Sequence, residues 1–237
     1  EKITLGNNVT VIGDYAFYGC VRLADINFGN SLERIGFFAF ANCCSLTNVS
    51  LPNSVLLIND GAFVRATQLK TINLGGNVTK IGKTTFYECI RLENVYAESI
   101  TEIEDWAFYC CFSLENAEFG KNVISIGNDA FSACIKLSSA PITQTTESIG
   151  DEAFSNCWGL NSITFFEKLT HIGTLAFVGP IEEVYCYNRS LSLENTNICF
   201  VGAILDTKDV DKNIILDYLV DSMIAEYEGD DETANAL

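Results

Sequence analysis

Phenylalanine returns at Phe17, Phe40, Phe63, Phe86, Phe108, Phe131, Phe154 and Phe177, every interval being 23 residues except one of 22. No other feature constrains the fold as strongly. A 23-residue unit cannot bury its own apolar side chains, so it is stable only when stacked on copies of itself. Further positions keep the same frame. Ile stands five residues before each Phe: Ile12, Ile35, Ile58, Ile81, Ile103, Ile126, Ile149 and Ile172. Gly follows that Ile in six units, and Asn59 and Glu104 are the departures. Cys stands three residues after the Phe in six units, with Ala66 and Pro180 in the other two. Leu stands six residues after it in seven: Leu23, Leu46, Leu69, Leu92, Leu114, Leu137 and Leu160.

Two more apolar positions follow that Leu, as in Ile26/Phe28, Val49/Leu51 and Ile72/Leu74. The unit is L-x-x-I-x-L, a turn, then V-x-x-I-G-x-x-A-F-x-x-C. The alternation in I-x-L puts both side chains on one face of a short strand. Strands of successive coils should pair in parallel about 4.8 Å apart, so eight coils make a rod of roughly 40 Å. The Gly after Ile is expected to mark a tight bend. The A-F-x-x-C stretch reads as a turn or short helical piece with its Phe in the interior. The single 22-residue unit has lost a residue between Ala97 and Ile100, in a turn. After Phe177 the frame shortens, and Ile181, Val184 and Cys186 take the Leu-Ile-Leu places.

This pattern resembles the BspA-like leucine-rich repeat. Clear copies are Ile12-Gly13…Ala16-Phe17…Cys20…Leu23…Ile26 and Ile149-Gly150…Ala153-Phe154…Cys157…Leu160…Ile163. The resemblance covers residues 1 to about 188. It implies a curved, right-handed, β-rich leucine-rich-repeat solenoid with short parallel strands. It further implies a surface-exposed or secreted protein of bacteria or some protists, associated with adhesion to host proteins or other cells. Repeat scaffolds carry many binding roles, so the motif specifies fold better than function.

Composition narrows the function classes. The 237 residues carry 14 basic and 31 acidic side chains, a formal net charge of −17. Nucleic acid and anionic membrane surfaces are poor partners for such a chain, because both require a basic footprint. No apolar run approaches the ~20 residues that a membrane span needs. The single His, His171, occupies a place that varies freely between units and should be exposed. It leaves little room for His-based catalysis, so neither an enzyme nor a cofactor or metal site is expected. Asp209-x-Asp211-x-Asn213 is similar to the start of a calcium loop, but Ile214 stands where Gly is required and Val220 where Glu is. Helix capping is the better reading. Of ten Cys, six sit at one repeat position beside the interior Phe and should be buried free thiols. Cys44 and Cys110, in vicinal pairs with Cys43 and Cys111, are expected to be the reactive ones. Four Asn-x-Ser/Thr sequons, at Asn8, Asn48, Asn77 and Asn188, are near the number chance supplies.

Glu1 to Leu5 matches the end of a unit, so the chain is expected to be a piece that starts mid-repeat. Residues 189–237 are expected to form a C-terminal cap. Within it an amphipathic helix spans about 211–227 and covers the open end of the solenoid. An acidic disordered end follows.

The informative surface consists of the x positions of L-x-x-I-x-L, which project from the parallel sheet. They are polar, rich in Asn, Ser and Thr, and mildly acidic. Residues Lys70, Asn73, Glu93, Asn94, Tyr96, Glu115, Asn116, Glu118, Tyr185 and Tyr187 form the candidate protein-binding face. The tyrosines supply the aromatic area that anchors interfaces. A partner should be neutral or basic there. Three functions stay open: a surface or secreted adhesion-type module that binds a host or extracellular-matrix protein, an intracellular scaffold or spacer, and a carbohydrate-binding surface protein.

Overall fold

The computed structural model describes residues 1–188, Leu191 and 204–206. The chain winds into a β-solenoid of about eight coils. Most coils carry two short strands. In chain order these are β1 (Lys2–Thr4) and β2 (Val11–Ile12), β3 (Asp25–Asn27) and β4 (Arg34–Ile35), β5 (Asn48–Ser50) and β6 (Leu57–Ile58), β7 (Thr71–Asn73) and β8 (Lys80–Ile81), and β9 (Asn94–Tyr96) and β10 (Glu102–Ile103). Then come β11 (Asn116–Glu118) and β12 (Ser125–Ile126), β13 (Ser148–Ile149), β14 (Ser162–Phe165) and β15 (His171–Ile172), β16 (Glu183–Cys186) and β17 (Ile204–Asp206).

All pairs are parallel and join equivalent positions of adjacent coils. On the I-x-L side, β5, β7, β9 and β11 form a four-stranded sheet, flanked by β1–β3 and by β14–β16–β17. On the V-x-x-I side, β2–β4–β6 is followed by the five-stranded sheet β8–β10–β12–β13–β15. Ile12 pairs with Ile35, Ile35 with Ile58, and Ile126 with Ile149. The frame of the sequence is therefore the register of the sheets. The frayed end keeps that register too, since Val184 pairs with Ile163 and Cys186 with Phe165. Where the sequence pattern fades at about 188, β17 adds another parallel strand to β16. The helix expected over 211–227, the acidic end and the Asp209–Asn213 motif lie outside the described residues.

Inside, the repeat phenylalanines form one column. Successive rings from Phe17 to Phe177 stack at 5.0–5.6 Å and within 13° of parallel. Each ring is flanked by Leu and Ile of its own and the adjacent coils, in one continuous apolar core. The thiols at the Cys place are buried from Cys43 onward. Each donates to the carbonyl of the preceding coil's Phe, as Cys89 Sγ does to Phe63 O and Cys111 Sγ to Phe86 O, both at 3.1 Å. Burial pushes the Cys89 and Cys157 thiols up to about 12 and raises Cys111 and Cys134 well above the usual thiol value, so all remain protonated donors.

The A-F-x-x-C stretch is a run of turns rather than a helical piece. Its N–H groups alternate between two kinds of partner. Tyr15, Phe17 and Gly19 donate to the next coil, while Ala16, Tyr18 and Cys20 close turns within their own. That alternation places positive φ two residues before the Phe in all eight coils, including non-glycines such as Thr84, Trp106 and Leu175. An L-residue there costs about 1–2 kcal/mol, which the inter-coil bonds offset.

The glycine after the repeat Ile has a different role from the tight bend expected of it. From Gly36 to Gly173 none has positive φ. Instead, a Cβ on Gly36, Gly82, Gly127, Gly150 or Gly173 would run into Asp14, Asp60, Asp105, Asn128 or Asp151 of the preceding coil. Each of those side chains sends Oδ1 to a backbone N–H one coil on, as Asp105 does to Asn128 at 3.0 Å and Asn128 to Asp151 at 2.8 Å. The two departures follow the same rule. The coil before Asn59 carries Phe37 at the Asx place and the coil before Glu104 carries Lys83. With no Asx side chain to admit, no glycine is needed.

Candidate functional site

On the I-x-L side the apolar side chains point inward and the x positions outward. Strands β7, β9 and β11 lie side by side in register, with Thr71 beside Asn94, Asn94 beside Asn116, Asn73 beside Tyr96 and Tyr96 beside Glu118. Eight of the ten candidate residues therefore share one surface: Lys70, Asn73, Glu93, Asn94, Tyr96, Glu115, Asn116 and Glu118. Its middle row is tied by Asn116 Nδ2 donating to Asn94 Oδ1 at 2.8 Å. Tyr96 is 38% exposed. Lys136 pairs with Glu115 at 3.1 Å, while Glu93 and Glu118 have no ion-pair partner among the described residues. The face thus keeps uncompensated negative charge.

The two C-terminal tyrosines are not brought to this surface. Tyr185 lies on β16, in the separate sheet β14–β16–β17, and its hydroxyl donates to Glu183 at 2.8 Å. Tyr187 stacks on Phe166 at 6.1 Å, beside a cavity of about 530 Å³ also lined by Gln144 and Lys168.

The division falls at residues 138–142, where the coil makes no strand. Pro141 stands at the place held by Asn73, Tyr96 and Glu118 in other coils, and it has no N–H for the ladder. Ala117 and Ala140 stand where other coils carry Ile or Val. The result is a groove of about 440 Å³ between β11 and this coil. Ala117, Phe119, Ala140 and Pro141 line it, with Tyr96 and Glu118 at the rim. A proline at a strand place and two small residues in an apolar column were the available signals for it.

A second surface was also missed. Four residues after the repeat Phe, Ile90, Phe112, Ile135 and Trp158 project outward on four consecutive coils, with Trp158 56% exposed. Reading the frame only at its conserved places hides such a row. Of the cysteines expected to be reactive, Cys44 is half-buried with its thiol turned to Arg65 O at 3.6 Å. Burial and the Glu88 carboxylate push the Cys110 thiol up, which opposes thiolate chemistry. His171 is exposed on β15, as its variable place implied. Among the described residues no three His, Cys, Asp or Glu side chains are grouped to hold a metal, and no helix is long and apolar enough to cross a membrane.

The model of the BspA type leucine-rich repeat region matches residues 1–99 and 95–181, with six copies. The chain belongs to the BspA-type leucine-rich repeat family. Among solved structures, a leucine-rich repeat protein from Bacteroides ovatus is 33% identical, with a TM-score of 0.70 over 77% of this chain and 48% of its own. A leucine-rich cell surface protein from Faecalibacterium prausnitzii shares the fold at 23% identity and a TM-score of 0.58, over 82% of this chain and 50% of its own. The chain therefore spans about half the length of these two leucine-rich repeat proteins. No curated protein matches it.

Proposed function

We propose that this BspA-type array is a non-enzymatic protein-binding module of a cell-surface or secreted protein, which presents the face of β7, β9 and β11 to a protein partner. The observation that carries this reading is the convergence of eight polar and aromatic side chains on one rigid, in-register sheet. Rigid presentation limits the ordering cost of binding. The residual negative charge favours a neutral or basic partner. The description of the Faecalibacterium prausnitzii relative as a cell surface protein supports the location.

Protease treatment of intact source cells tests the location. Loss of the array from a blot without lysis is expected, and full protection would move the reading to an intracellular scaffold. Binding to immobilised extracellular-matrix proteins tests the face. The triple change of Lys70, Asn73 and Asn94 to Ala should weaken such binding at least tenfold, and unchanged binding would remove the face from the interaction.

A further inference from the structure

The groove beside β11 is an unfinished piece of sheet. From β5 to β11 each I-x-L strand closes the edge of the one before. Lys70 and Thr71 donate to Thr47 O, Leu74 N donates to Tyr96 O at 2.9 Å, and Ala97 N donates to Glu118 O at 2.8 Å. The same scheme would join β11 to residues 139–141. There, Pro141 cannot donate to Ala117 O, and only the Ser138 hydroxyl reaches across, to Glu115 O at 3.3 Å. The N–H and C=O of Ala117 and the N–H of Phe119 thus have no hydrogen-bond partner among the described residues. Unpaired backbone beside a groove is a template for another strand. The groove's walls are apolar and small, and its charged lining is Glu98, Glu118 and Lys121, none in an ion pair among the described residues, which leaves one net negative charge.

We propose that this groove takes an extended, cationic peptide segment of the protein partner. The segment's backbone pairs with the free edge of β11, its small or β-branched side chains lie over Ala117 and Ala140, and its Lys or Arg side chains meet Glu98 and Glu118. This rests on the protein-binding reading above and names the chemistry of the partner. Strand addition draws affinity from main-chain bonds and specificity from alternate side chains. A second copy of this chain is a poor occupant, because it would bring its own acidic face to an acidic rim. A compact small molecule would find no buried polar side chain to orient it.

The test uses three capped, fluorescein-labelled hexapeptides and anisotropy at physiological salt. One alternates Lys and Val, one alternates Glu and Val, and one repeats the first with alternate backbone nitrogens methylated. Saturable binding is expected of the first alone, with the methylated peptide at least tenfold weaker. Equal binding of the methylated peptide would reduce the effect to bulk charge and overturn the proposal, as would no binding of the first. Pro141→Asn supplies the missing N–H, and Ala140→Ile fills the groove. The double variant should keep a cooperative thermal transition and lose the peptide at least tenfold, while Glu118→Gln alone should lose severalfold. If peptide binding fails but matrix binding still falls with the Lys70, Asn73 and Asn94 changes, the groove assignment fails and the face assignment stands. If the peptide binds and those changes leave matrix binding intact, the reverse holds.

Discussion

The coil from Leu69 to Phe86 and the coil from Leu137 to Phe154 have the same length, yet only the first forms its I-x-L strand. In the first, Thr71–Asn73 pairs on both sides, with β5 and β9. In the second, residues 139–141 pair with neither neighbour, while Ser148–Ile149 pairs on both sides, with β12 and β15. The Phe131–Phe154 stack beside the break, at 5.2 Å and 3°, is as regular as Phe63–Phe86, at 5.6 Å and 10°. One side of a coil can therefore be lost without disturbing the others. At this coil the aromatic column, the thiol donors and the V-x-x-I sheet hold the period, whereas between β6 and β8 it is the V-x-x-I ladder that is interrupted. The I-x-L strand is free to vary, and that is the side that carries the candidate face.

The broken coil also repairs itself locally. Thr146 occupies the place of Val55, Val78 and Val123 and is fully buried. Its hydroxyl, with those of Thr143 and Thr145, donates to Val123 O at 2.9–3.1 Å. A buried hydroxyl is tolerable only when so satisfied.

The sharpest way to break the comparison is to open the column on each side of it. Phe86→Ala and Phe131→Ala should each cost about 3–5 kcal/mol in denaturant unfolding, by cavity formation. A much smaller loss at Phe131 would mean that the break loosens the interior as well. Next in size is the fit between coils. Gly127→Ala would bring a methyl to 2.6 Å from Asp105 N, at a cost of about 1–3 kcal/mol. Asn59→Ala, where no Asx side chain lies opposite, should cost under about 0.5 kcal/mol. Equal losses at the two sites would disprove the Asx–Gly rule. Pro141→Asn should act in the opposite direction. The regained ladder bond is worth about 0.5–1.5 kcal/mol, partly cancelled by the greater freedom of the unfolded chain. A lower midpoint would show that the groove is held open by more than the missing N–H.

The smallest effect is in acid. Burial acts to raise the Asp105 carboxyl, but the Lys83 ammonium and the Asn128 N–H outweigh it and hold it below the usual carboxylate range. A lowered carboxyl contributes stability above its unfolded value, near ~3.9, and that contribution is lost as pH falls through the lower folded value. Asp105→Asn keeps the acceptor oxygen, as Asn128 does, and removes the titration. It should flatten the acid limb of the melting-temperature profile, and an unchanged slope would place the acid sensitivity elsewhere.

Much of this was legible in the chain, because register and period are one quantity in a solenoid. The apolar columns, the turn at the missing residue, and the places of Ile181, Val184 and Cys186 could all be read by counting. What could not be counted was contact between unlike places. Asn59 and Glu104 looked like irregularities until Phe37 and Lys83 were set against them. Tyr185 sits at an outward place of its coil with Tyr187 alongside, yet the face they were assigned to ends at Pro141. Positive φ at Thr84 or Leu175 is invisible to propensity, which opposes it. The outward row from Ile90 to Trp158 was hidden by attention to the inward columns.

The Asx–Gly contact also sets a rule of succession among coils. A coil carrying Asp or Asn two residues after its Ile demands a glycine in the coil that follows, whereas a coil carrying Phe37 or Lys83 there accepts a bulkier successor. Coils are therefore not interchangeable beads. A coil moved or duplicated during engineering keeps its fit only when its new predecessor leaves room for its first residue after the Ile, so the smallest portable piece of this array is a junction rather than a repeat.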